Sequence, residues 1–118
     1  MITVHHGSSS DTLPVHPGLC LTEDEDSAAD YARSAFGTHY VHEAALNLDG
    51  LTVIDADGDW DRDENTAASD LGGDYDGADI ITYDDETPMN RRHVTYRLMT
   101  PAALAALTAV RVRDAMDI

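Results

Sequence analysis

Residues 39–48 alternate strictly between two sides of an extended chain. Tyr40, His42, Ala44, Leu46 and Leu48 fall on one side, and Val41, Glu43, Ala45 and Asn47 on the other. A period of two does not fit a helix; it calls for a strand with one face to bury. The alternation returns in Arg92–Leu98, and β-type runs stand at 2–6, Leu19–Leu21, Leu51–Ile54 and Ala78–Tyr83. Asp49-Gly50 is a turn dipeptide, so 39–48 and 51–54 are expected to pair as a hairpin. Pro14, Pro17 and Gly18 make 11–18 a loop, and Ala109–Val112 reads as a final edge strand.

Two helices interrupt these strands. Thr22 and Glu25 have the spacing of a capping box, and Glu23 and Asp24 suit the positive end of a helix dipole. Ala28, Ala29, Ala32, Ala35 and Phe36 then recur at helical spacing, and Gly37 is a terminator. Thr100-Pro101 is an N-cap followed by proline at the first helical position, opening a helix through about Leu107. Residues 55–77 are polar, acidic and glycine-rich, with at most a short helix near Glu64–Leu71. The expected fold is α+β: one domain over residues 1–118, a mostly antiparallel sheet, one early helix and one short late helix.

The formal charge is −16, from 23 acids against 7 basic residues, every one of them arginine. Such a surface repels nucleic acid and anionic lipid, so direct binding to either is not expected. A hydrophobic content of 42% can still build a core. No apolar run reaches the roughly 18 residues of a membrane span, and no basic start precedes a greasy segment. The expectation is a soluble cytoplasmic protein. Acidity on this scale also fits a second class, a binding protein that imitates the DNA backbone and occupies a basic nucleic-acid-binding partner. A third reading is salt adaptation, in which the acids only keep the chain soluble.

Several residues could carry chemistry. His6 stands where the first strand hands over to a loop, followed by Gly7 and Ser8; His5, its neighbour, points to the opposite face. Cys20, the single cysteine, lies in an apolar run and reads as a small buried hydrophobe. The run Asp55–Glu64 alternates carboxylates, but neither the register from Asp55 nor that from Asp57 places glycine sixth and glutamate twelfth as a calcium loop requires, so it reads as a solvated acidic loop, with an irregular metal site as the lesser alternative and no metal ligand assigned. Asp84-Asp85-Glu86 follows a strand and reads as an acidic turn, a place from which carboxylates can stabilise a cationic sugar. Tyr31 offers an aromatic wall for a flat ring.

The motifs gain meaning from their order. A strand ends in His6-Gly7-Ser8. Then come Pro17-Gly18-x-x-Leu21-Thr22, a helix with Ala28-x-x-Tyr31-Ala32, the strand Tyr40-Val41-x-Glu43-x-x-Leu46, and a strand that ends in acids. From about Thr3 to Leu98 this order resembles the ADP-ribosyltransferase superfamily, especially its small members, the rifampicin-modifying transferases and a phage-encoded anti-CRISPR protein. The resemblance implies a split-sheet fold, NAD as substrate, and transfer of ADP-ribose to a protein or small-molecule acceptor with loss of nicotinamide. It implies that His6 bonds a ribose hydroxyl and that the Gly7 backbone grips the carboxamide, with Ser8 and Thr22 beside them. Asp85 would support the oxocarbenium-like ribose, with Asp84 and Glu86 as neighbours able to replace it. Where the rifampicin-type pattern has an aromatic residue before Leu-Thr, this chain has Cys20, so Tyr31 or Tyr40 would supply the stacking ring. The diphosphate needs a cation, for which Arg33, Arg91 and Arg92 are candidates. The same fold without its chemistry would be the acidic binding protein.

Overall fold

The fold is taken from a computed structural model, which describes residues 1–34, 39–56 and 77–118. In chain order the elements are β1 (Ile2–Ser8), β2 (Leu19–Thr22), α1 (Glu25–Ser34), β3 (Tyr40–Leu46), β4 (Val53–Asp55), β5 (Ile80–Glu86), β6 (Arg92–Leu98), α2 (Pro101–Ala105), β7 (Leu107–Asp114) and a closing 3-10 turn (Ala115–Asp117). Among the described residues the strands form one sheet in the order β4-β5-β6-β2-β1-β3-β7. All pairs are antiparallel except β4 with β5. The chain is α+β with a mixed sheet, as the patterning requires. No helix among the described residues is long and apolar enough to cross a membrane.

The sheet is two halves joined by a narrow seam. β2 pairs with β6 along all of Leu19–Thr22, and β1 pairs with β3 from Ile2 to Ser8. Between β1 and β2 the ladder is a single residue pair, His5 with Thr22. Val4, Leu19, Leu21, Ala44, Leu46, Ile80, Leu98 and Ala103 pack into the main core and span this seam. A smaller cluster of Ala28, Ala29, Ala32, Val41 and Ala115 lies under α1.

The expected hairpin does not form. Both edges of β3 are taken along its length, by β1 on one side and β7 on the other, so no edge remains for 51–54. The chain turns at Gly50, in the left-handed region at φ 77°, and leaves β3. The Thr52 N–H donates to the Asp79 carboxylate at 2.9 Å, and the Thr52 carbonyl accepts from the N–H groups of Asp79 and Ile80. This clasp sets β4 parallel to β5. It also holds the Asp79 carboxyl below the usual range, first through the Thr52 N–H and then through the Thr100 hydroxyl.

The start of α1 differs from the expected box as well. Thr22 is the last residue of β2, and its hydroxyl accepts from the Asp24 N–H at 3.1 Å. Asp24 is the cap: its carboxylate accepts from the Asp26 N–H and from the Ser27 hydroxyl, and its carbonyl accepts the first helical bond, from Ala28. The expected capping box placed the cap at Thr22, but β2 pairs with β6 through Thr22, so the helix starts two residues later. Ala28, Ala29 and Ala32 are buried as the spacing predicts, while Ala35, Phe36, Gly37, the Glu64–Leu71 helix and most of the acidic 55–64 run lie outside the described residues. The late helix is capped by Thr100 as expected, but it ends at Ala105 and yields to β7, which is longer than the expected 109–112 edge strand. Asp84, Asp85 and Glu86 are not a turn. They finish β5, paired with Val94, His93 and Arg92, and the chain reverses at 87–91, where Asn90 has φ 63°.

Gly7 has a packing role that the sequence did not disclose. A Cβ there would stand 2.1 Å from the Ala28 carbonyl oxygen and 2.7 Å from the Ala32 nitrogen, both backbone atoms of α1. Helix and strand touch through that missing carbon. Gly7→Ala must therefore push α1 off the sheet and is expected to cost about 2–3 kcal/mol, read as a lowered urea midpoint. Asp24→Ala is expected to cost about 1 kcal/mol in the same measurement, and a smaller loss than in Thr22→Ala would refute the cap assignment.

Candidate active site

A cleft of about 180 Å³ opens where β1 and β2 part. β1 contributes His5, His6 and Gly7; β2 contributes Cys20, Leu21 and Thr22; α1 contributes Ala28 and Tyr31; β5 contributes Asp85; and β6 contributes His93 and Thr95. His6, Gly7, Thr22, Tyr31 and Asp85, chosen from four separate stretches of sequence, therefore share one wall system.

His6 bridges the seam. Its Nδ1 stands 2.8 Å from the Cys20 carbonyl oxygen. A carbonyl only accepts, so Nδ1 carries the proton. Burial lowers the His6 pKa below 6.5, outweighing the Cys20 bond that raises it. The ring is thus neutral near pH 7, and Nε2 keeps a lone pair that can accept a hydroxyl proton.

Tyr31 reaches across the cleft from α1. Its hydroxyl lies 2.8 Å from His93 Nε2 and 3.3 Å from the Glu86 carbonyl oxygen. The two rings meet edge to face, with centroids 5.4 Å apart at 84°. With the phenol proton on Glu86, His93 donates from Nε2 and its buried, unpartnered Nδ1 is a bare acceptor. The reverse tautomer would bury an N–H without a partner, the costlier state. Next to Tyr31, Asp30 is only 4% exposed and accepts from the Thr87 hydroxyl at 2.9 Å and Arg91 Nε at 3.1 Å, tying α1 to the β5–β6 turn.

Strand alternation separates the three acids. Asp85 faces the cleft, directly across the ladder from His93; Asp84 and Glu86 are exposed and do not line it. The Asp85 Oδ1 accepts from the Glu86 N–H at 2.8 Å, which fixes the carboxylate near the strand.

Other expected residues lie elsewhere. Ser8 ends β1, outside the cleft wall, and its hydroxyl accepts from the Ser10 N–H at 3.0 Å. Arg33 points away from the cleft: its Nη2 donates to the carbonyls of Ala115 and Ile118, at 3.1 and 2.8 Å, because α1 packs its last turn on the closing 3-10 turn. Arg91 is committed to Asp30 and Arg92 is exposed, so no arginine among the described residues lines the cleft. Tyr40 also lies outside the cleft wall. Cys20 is half-buried and lines the cleft instead of filling the core. His93 and Thr95 were missed. The Arg92–Leu98 alternation, set opposite the acids, was the signal that could have found them.

No family model, curated protein or solved structure matches the chain.

The lowered His6 pKa makes stability depend on pH. Below 6.5 the unfolded chain takes up a proton at this histidine before the folded chain does, so the contribution is intact above 6.5 and lost as pH falls toward the folded value. His6→Gln keeps a donor for Cys20 and cannot titrate. The urea midpoint of the parent should therefore fall more steeply between pH 7.5 and 5 than that of His6→Gln.

Proposed function

We propose that this chain is an NAD-dependent ADP-ribosyltransferase, moving ADP-ribose from NAD to a protein or small-molecule acceptor and releasing nicotinamide. The observation that carries the reading is the convergence of His6, Gly7, Tyr31 and Asp85 on one cleft at the seam of the sheet. The motif order of the sequence anticipated these residues together, although they come from β1, α1 and β5.

The chemistry is substitution at the anomeric carbon of the nicotinamide-bearing ribose. As the glycosidic bond lengthens, positive charge builds on that ribose, and the carboxylate of Asp85 stabilises it. The Nε2 lone pair of neutral His6 accepts a ribose hydroxyl proton and orients the sugar. Tyr31, locked by His93 and Glu86, forms a wall for the nicotinamide ring. With Arg91 held by Asp30 and Arg33 by the closing turn, exposed Arg92 is the candidate cation from which the diphosphate contact would come. The acceptor then takes the ribose carbon, nicotinamide leaves with the bonding electrons, and the acceptor's proton passes to solvent.

Incubation with labelled NAD and cell lysate should label an acceptor and release nicotinamide. Asp85→Asn and His6→Gln, which keeps a donor for Cys20 but removes the Nε2 lone pair, should each lower the rate about 10²–10³-fold while circular dichroism stays native. Full activity in Asp85→Asn would remove the acid from the mechanism. The charge of −16 and the absence of an arginine from the cleft wall among the described residues favour a second reading, an acidic binding protein on the same scaffold. That protein would show no NAD binding in calorimetry and would hold a basic partner with an affinity that falls steeply with salt.

A further inference from the structure

On the α1 side of the sheet, at the edge of the cleft wall to which it belongs, His5 lies against two carboxylates from different elements. Its ring is only 6% exposed, and its Nε2 stands 3.4 Å from Glu25 Oε2 and 3.4 Å from Glu43 Oε1. The three donor atoms all lie within 4.8 Å of one another. Glu43 is the direct cross-strand partner of His5, and Glu25 is the first residue of α1, so strand register and helix start bring the set together.

We propose that His5, Glu25 and Glu43 form a binding site for a divalent transition-metal ion such as zinc. Donors roughly 2.1 Å from a tetrahedral ion lie roughly 3.4 Å from one another, so the two edges that run from His5 already have the required length. One imidazole with two carboxylates suits zinc and its first-row neighbours better than calcium or magnesium. A neutral His5 has one N–H at Nε2 and can satisfy one carboxylate at a time. A cation engages both at once.

The surrounding charges show how the ligands are held. Arg111 Nε donates to Glu43 Oε2 at 3.1 Å, and its Nη2 lies 3.3 Å from Oε1. Arg113 Nη2 bonds Glu25 Oε1. Arg113 thus fixes the far oxygen of Glu25, an outer-shell arrangement that orients a metal ligand, while Arg111 holds both oxygens of Glu43, including the one toward His5. These cations cost affinity. So does the His5 Nδ1, which is buried without a partner and carries the ring proton when Nε2 binds metal. Binding weaker than in closed structural sites follows. The bound ion would pin the start of α1 to β1 and β3 beside the cleft, independently of whether the cleft turns over NAD.

The test uses the full chain after chelator treatment, titrated with zinc and then with cobalt. One zinc equivalent, a rise in melting temperature and a tetrahedral cobalt d–d spectrum are expected. Glu25→Gln and Glu43→Gln should each weaken binding at least about 10-fold and abolish the zinc-dependent rise. The rise is measured against each variant's own metal-free state, so loss of an arginine pair does not confound it. His16→Ala removes an exposed histidine outside the cluster and should bind as the parent does. Absence of saturable binding, binding unchanged in both glutamine variants, or its loss in His16→Ala would each overturn the site.

Discussion

A sheet held across its middle by one residue pair needs something else to keep its halves in register, and here that is a side chain. Past the His5–Thr22 pair the β1 and β2 backbones diverge, and the His6 imidazole reaches the Cys20 carbonyl at 2.8 Å. A buried carbonyl left without a donor is costly, so this bond does part of the work of a missing ladder. It also makes the cleft possible, because a fully zipped seam would leave no gap between the strands. The residue proposed to orient a substrate is thus the residue that holds the gap at its width. Its tautomer follows from the structural role, and its chemistry follows from the tautomer.

The helix sits over this seam at a distance set by the smallest side chains. Gly7 on the strand and Ala28 and Ala32 on the helix let two backbones touch. That contact brings Tyr31 over the cleft, where His93 and Glu86 fix its hydroxyl. Gly7 reads locally as a residue that admits a ligand. In the fold it admits a helix as well, so its substitution disturbs packing before it disturbs binding.

The strands and the burial of α1 were legible because alternation and helical spacing are local properties. Asp85 was legible once β5 was seen to run through Glu86, since the pleat selects one acid of three. What failed depended on competition between distant segments. The 51–54 strand could not know that β7 would take the free edge of β3. Thr22 looked like a cap until β6 claimed it for the sheet. Arg33 looked like a phosphate ligand until the final turn offered it two carbonyls. The His5–Glu25–Glu43 cluster was hidden for the same reason: a cross-strand register and a helix start must both be known before the three meet.

The order of the strands has a consequence for how the chain comes together. One half of the sheet holds β1, β3 and β7, and the other holds β2, β4, β5 and β6. The backbone changes halves after β1, after α1, after β3 and after α2. Neither half is a continuous stretch of chain, and the half with β1 and β3 is complete only when β7, the last strand, is made. Most of the pairings join residues far apart in sequence, and the entropy of closing those loops is spent before the contacts reward it. The seam therefore does not separate two independent lengths of chain: the strands that frame the cleft come from segments that alternate between the halves along the sequence.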